Sequence, residues 1–404
     1  MKKIAFSFFI ALTFSLTSTG VLAQGCSKSD DSSAEFESPI DYMQDESLAD
    51  EADFEQLQKD AMEEFYAQNP EMKASMEMVQ KYSKALFADL QNNPDTNIQI
   101  LALMNGMYSK STDDERKKVL KKAINQDASA YTLFIANQLC QSQTTLKDWC
   151  QSQKIAQLNL QKDDKNLAIY LQQLSHASND EEQQDILEQA ASRSEYINNY
   201  RYYYTLKVVA AIEEFNQSYS DLNVLTDLLI QTVNGEGIAQ FDTKELKSKG
   251  LLKKDLTTAI NESLPFTMAM SVDANGFMLG YELNRLCEKA INAENCLVIA
   301  DIYAKSSSFM DKMQAQSLKH LANKALGVED NSKVDHFAGI AQLSCLTNGI
   351  VMQASAVDKD LMILFIKEAR KHGEQAAAKK MAQQVYNTIK QHGYNPSFDP
   401  KTCK

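Results

Sequence analysis

The stretch QLCQSQTTLKDWC, residues 138–150, carries two cysteines, Cys140 and Cys150, and the chain's one tryptophan, Trp149. A similar phrase, RLCEKAINAENC, residues 285–296, carries Cys287 and Cys296. Zinc sites bring CxxC pairs, or a CxxC with two histidines, and thioredoxin-type chemistry needs CxxC. Neither occurs, and the five histidines, His176, His320, His336, His372 and His392, are scattered. A turn between two antiparallel helices accounts for the spacing. Such helices converge at their connection, where Cα atoms approach the ~5.5–6 Å that a disulfide requires. Cys140–Cys150 and Cys287–Cys296 are therefore expected as staples. By elimination Cys345 pairs with Cys403 and pins the tail YNPSFDPKTCK back onto the fold.

Composition points the same way. Among 404 residues there are only 13 Gly and 6 Pro, about 3% glycine where about 7% is usual. Sandwiches and α/β enzymes need glycine at turns and phosphate loops, so the chain is expected to be all-α. Helical signals recur with short breaks. ADFEQLQKDAMEEFYAQ, residues 52–68, sets Phe54, Leu57, Ala61 and Phe65 on one stripe. The next begins at Pro70, a residue suited to a first helical position. TDDERKKVLKKAI opens with Thr112 and Glu115, a capping-box spacing. The stretches from 359 and 374 each close on Lys/His followed by Gly, as helix C-termini do. SEYINNYRYYYTLKVVAAIEEF, residues 194–215, also reads as helix. Antiparallel hairpins of such helices, joined by a few polar residues, are the expected architecture.

Residues 159–192, around DKNLAIYLQQLSHASNDEEQQDILEQAA, resemble a tetratricopeptide or Sel1-like hairpin unit, without that family's Trp, first-helix Gly or closing Pro. The resemblance implies stacked helical hairpins in the manner of an α-solenoid, and nothing about a ligand. The N-terminus resembles a bacterial export signal: Lys2 and Lys3, an apolar run from Ile4 to Leu16, then VLAQGC. Cleavage after Ala23 gives a soluble product. Cleavage after residue 25 would make Cys26 the lipid-bearing first residue, although Ala23 stands where the lipobox family prefers Leu. With seven cysteines, lipidation of Cys26 leaves an even set for pairing, which tips the reading toward a lipoprotein.

Charge is concentrated. Residues 28–64 hold fourteen acids against two lysines, a net of −12, in a chain of net −13. Residues 26–48 read as an acidic flexible tether, poor in large apolar residues. Its functional reading is docking on a basic face, with residues 115–122 and 244–254 as candidates. The rest divides into an N-terminal helical array (49–232), a linker at 233–243 holding Asn-Gly and a further Gly, and a C-terminal array (244–404).

Candidate sites are few. Five tyrosines crowd residues 196–204; Tyr196, Tyr200, Arg201, Tyr203 and Tyr204 are candidates for a partner-binding wall, because Tyr and Arg are over-represented at binding hot spots. Core packing is the favoured alternative, and on a helix Arg201 and Tyr202 would point away from the others. Trp149 reads as packing against a disulfide. DANGFMLG, from Asp273, lacks the later carboxylates of a calcium loop and reads as a turn. Sixteen Met read as core filler before binding surface. GxSxG, HExxH, P-loop and GxGxxG patterns are all absent, so no catalytic, metal or cofactor residue is assigned. Nucleic acid is disfavoured for want of a basic footprint. The expected role is a non-catalytic envelope protein, periplasmic or held to the outer membrane by lipid, that binds a protein or peptide. A periplasmic hydrolase whose residues meet only in the fold, and a structural envelope factor, are the alternatives.

Overall fold

The computed structural model describes residues 70–403 apart from 106–110, 125–127, 175–176, 178, 236–241, 274–279 and 329–335. The signal, Cys26, the acidic tether and the helix expected over 52–68 lie outside the described residues. Those described form 19 α-helices and no strand. The chain is all-α, and three disulfides brace it.

The first helices show why these residues coil. α1 (Pro70–Gln91) starts on its proline, whose missing N–H would be unbonded there anyway. Val79, Tyr82, Leu86 and Leu90 fall on one stripe and are buried. Tyr82 meets Phe215 and Tyr219 edge-on, at 5.7 and 5.2 Å, and donates its hydroxyl to Asn216 at 2.8 Å. α2 (Thr96–Met104) is apolar almost all round and accordingly central, with Ile98, Ile100, Leu101 and Leu103 buried. Asp95 caps it. α3 (Asp113–Ala123) opens with the Thr112/Glu115 capping box.

There follow α4 (Ala130–Ser142), α5 (Lys147–Ser152), α6 (Ile155–Lys162), α7 (Leu167–Leu174) and α8 (Asp180–Arg193). A buried amide holds three of these together. Gln172 accepts from Asn137 at 2.9 Å and Asn159 at 3.3 Å, and donates to the Phe134 carbonyl at 3.2 Å. Hydrogen bonding is what makes burial of such polar groups tolerable. Then come α9 (Thr205–Ser218), α10 (Leu222–Gly235), α11 (Thr243–Ser248), α12 (Leu256–Asp273), α13 (Gly280–Cys287), α14 (Ala293–Ala304) and α15 (Phe309–Ala325). The last four are α16 (His336–Leu346), α17 (Gly349–Val357), α18 (Lys359–His372) and α19 (Glu374–Gln391).

Two cores result. The larger joins α1, α2, α4, α9, α12 and α17–α19; the smaller joins α7, α8 and α13–α15, around Leu171, Leu187, Leu286, Ile299 and Leu318. Both draw on residues from either side of 233–243, so the two arrays expected there do not correspond to two separate cores. α10 also continues through Gly235. Neighbouring hairpins are present, α14 on α15 and α18 on α19, but α12 packs on α9 and α14 on α8 as well. In a linear solenoid each unit meets only its sequence neighbours.

Cys140 bonds Cys150 across the α4–α5 turn with Cα atoms 6.0 Å apart. Cys287 bonds Cys296 between α13 and α14, and Cys345 bonds Cys403, each at 5.7 Å. Trp149 is half-buried against the larger core beside Cys150.

Candidate functional site

The tyrosine-rich stretch is not the helix that its spacing suggests. After α8 the chain runs as an irregular loop to Tyr204, and α9 begins only at Thr205. Tertiary hydrogen bonds override the helical pattern. Leu167 N–H donates to the Tyr196 carbonyl at 2.8 Å, and Glu195 N–H to the Lys165 carbonyl at 2.9 Å. The fully buried Asn166 side chain donates to the Asn198 carbonyl and accepts from its N–H, both at 2.8 Å. Asn198 in turn accepts from Tyr200 N–H at 2.9 Å, an Asx-turn. Tyr200 and Tyr202 take φ of 55° and 61°, a left-handed conformation rare for bulky side chains. Alternate residues therefore turn to different sides.

That alternation sorts the candidate residues. Tyr200 is buried, against Tyr131 and Phe134, and donates to Asp163 at 3.0 Å. Tyr196 is exposed but its hydroxyl also goes to Asp163. Tyr204 stacks on Tyr131 at 5.1 Å and donates to Asp95. Arg201 pairs with the buried Glu374 at the start of α19. Of the five, only Tyr203 faces outward without a hydrogen-bonded anchor, 41% exposed. Tyr202, set aside when the stretch is read as helix, is buried against Phe365 and only borders the hollow that Tyr203 faces. The pair of asparagines, Asn198 and Asn199, is the one local signal that announces a turn here.

Tyr202 and Tyr203 form one wall of a hollow of about 380 Å³, with Leu206 of α9; Ile366, Lys367, Arg370 and Lys371 of α18 form the other. The Arg370 guanidinium lies 4.5 Å above the Tyr203 ring, a cation–π contact. Among the described residues no carboxylate lines this groove. None of those described lies within ion-pair distance of Lys367, Arg370 or Lys371, although Lys371 acts at longer range on Glu368. A second hollow of about 330 Å³, between Gly250–Leu251 and α18–α19, has Lys253 beside Asp358 at 3.7 Å and a mixed polar lining.

Carboxylates hold the loop from beneath. Asp273, the last residue of α12, accepts from the Thr205 hydroxyl at 2.5 Å and from the N–H groups of Tyr202 and Tyr204. It thus caps α9, which has no side-chain cap of its own. The turn expected over DANGFMLG lies outside the described residues beyond Asp273. Burial pushes its carboxyl up to about 6 against the pull of those donors and of Arg201. Burial likewise raises Asp311 to about 6, although Ser306 donates to it at 2.6 Å. Glu374 accepts Phe309 N–H at 3.2 Å besides its Arg201 pair. None of the three lines either hollow. Among the described residues no cluster of three His, Cys, Asp or Glu is placed to hold a metal ion.

A pH dependence follows. A carboxyl that ionises less readily folded than unfolded favours the fold when protonated. Stability is therefore lost as pH rises from about 4 to about 6 and stays at the lower level above. Two pK units correspond to about 3 kcal/mol for Asp273. Asp273→Asn is expected to remove that part of the slope, leaving the part due to Asp311. Urea unfolding at pH 4 and pH 7 measures it, and an unchanged slope would refute the assignment.

Comparison with known proteins gives no match at any of three levels: protein families, curated sequences or solved structures.

Proposed function

We propose that this is a non-catalytic, exported envelope protein that holds an acidic, aromatic-bearing segment of a partner protein between Tyr203 and α18. One observation carries the reading: Arg370 lies over an exposed tyrosine, flanked by Lys367 and Lys371, in a groove that no carboxylate lines among the described residues. A partner's Asp or Glu would meet the unpaired cations, and its aromatic ring the Tyr203 face. Aromatic and Arg anchors of this kind dominate binding energy where a pocket surrounds them.

Export is supported by the N-terminal signal and by three disulfides, which persist in oxidising compartments. Among the described residues no helix is long and apolar enough to cross a membrane; a lipid on Cys26 would supply the attachment. The hydrolase alternative has no comparable observation behind it, because Asp273, Asp311 and Glu374 are engaged in holding backbone and Arg201.

Photo-crosslinking from position 203 in the intact envelope tests the reading. A benzoylphenylalanine at 203 should give a discrete adduct that Arg370→Glu with Lys371→Glu reduces at least tenfold, as loss of one or two hot-spot contacts implies. The same probe at exposed position 196 should not give it. Identical adducts from both positions would overturn the proposal.

A further inference from the structure

We infer that, in the absence of a partner, the chain's own acidic tether, residues 28–48, occupies the groove between Tyr203 and α18, so that a partner binds by displacing it. The inference rests on the reading of the groove given above, and adds its resident occupant. Charge is the first argument. The tether carries seven acids against one lysine and two aromatic residues, Phe36 and Tyr42, each with a carboxylate neighbour: Glu35 and Glu37, and Asp41. It therefore has the chemistry that the groove selects.

The other basic stretches suit it less. Lys249, Lys253 and Lys254 are already paired, with Glu245, Asp358 and Glu262. The cluster on α3 follows three acids, Asp113, Asp114 and Glu115, on the same short helix. Neither stretch includes an aromatic residue.

Reach is the second argument. α1 spans about 33 Å at 1.5 Å per residue. Its C-terminal end lies beside the tyrosine loop, since Asp95, four residues beyond Gln91, accepts from Tyr204. Pro70 thus stands about one helix length from the groove. Residues 49–69 cover about 32 Å even at helical rise, and about 70 Å extended. The tether arrives without strain. Joined by such a linker, it competes at an effective concentration on the order of 1 mM.

The test uses the full chain and a fluorescent synthetic peptide of residues 34–48, AEFESPIDYMQDESL, followed by anisotropy. Two proteins are compared: the native sequence, and a variant whose seven acids at 30, 31, 35, 37, 41, 45 and 46 are changed to Asn or Gln. The peptide should bind the variant about tenfold more tightly, the factor for a millimolar internal competitor against a Kd on the order of 0.1 mM. Arg370→Glu should abolish binding in both backgrounds. Equal affinity in both, still sensitive to Arg370→Glu, would overturn the inference while leaving the groove reading intact. Absent binding, or binding indifferent to Arg370→Glu, would sink both. Affinity that weakens as native protein concentration rises would assign the occupant to a second copy and refute the intramolecular form.

Discussion

Replacing Cys345 and Cys403 together by alanine is expected to lower the unfolding free energy by about 4 kcal/mol, more than loss of either short disulfide. The bond closes 58 residues, and restriction of the unfolded chain grows with the logarithm of loop length; the other two, closing 10 and 9, give about 2.7 kcal/mol each on the same account. The folded ends are well placed to be joined. Cys403 is buried, its carbonyl accepts from Gln342 at 3.1 Å, and Phe398 meets Tyr386 edge-on at 6.0 Å. These contacts remain in the variant, so the tail stays in place while the unfolded state gains freedom. Denaturant unfolding under oxidising conditions, double variant against parent, gives the number. A loss below about 1 kcal/mol would show that the bond does not restrict the unfolded chain in this way.

Gly373→Ala is the second large effect, about 3 kcal/mol or more. This glycine turns α18 into α19 with φ of 85°, where an L side chain is strained. Space adds to conformation: a Cβ there would lie 1.9 Å from the Ser307 carbonyl oxygen and 2.6 Å from its carbon. Backbone, unlike a long side chain, cannot swing aside. The neighbouring residue magnifies the damage. Glu374 holds both Arg201 and Phe309 N–H, so a shift at 373 loosens the tyrosine loop and the start of α15 at once. The stability loss should come with weakened photo-adduct formation from position 203. Gly327, also at positive φ but with open space around its would-be Cβ, is the control: its alanine variant should cost about 1 kcal/mol. Equal losses at the two glycines would refute the steric argument.

Helix starts at Pro70 and Thr112, and the two short disulfides, could be read because each depends on neighbours in sequence or on a turn of known geometry; Cys345–Cys403 followed only by elimination. The loop over 194–204 could not be read. Four of its five tyrosines would share a helical face, and distant partners, Asn166 and Asp273 among them, pull the chain out of it. The same blindness hid the Gln172 hub and the Glu374 joint, whose partners are brought together by folding alone. The groove was half visible: Tyr203 belongs to the stretch singled out, whereas the α18 side of it lies in a stretch read merely as a helix ending in Lys/His and Gly. Periodicity reports which face is oily. It does not report which carboxylate will reach across to a backbone.

The smaller core has a consequence for the order in which the molecule is made. Its first half, Leu167 to Ala190, emerges long before its second half, Leu283 to Ala322. Until synthesis reaches that far, the apolar faces of α7 and α8 have only each other and α6 to lie against. A growing polypeptide in this condition needs a holding factor or a late, concerted collapse, since transiently naked apolar surface invites aggregation. Contacts between positions so far apart in the chain also slow folding.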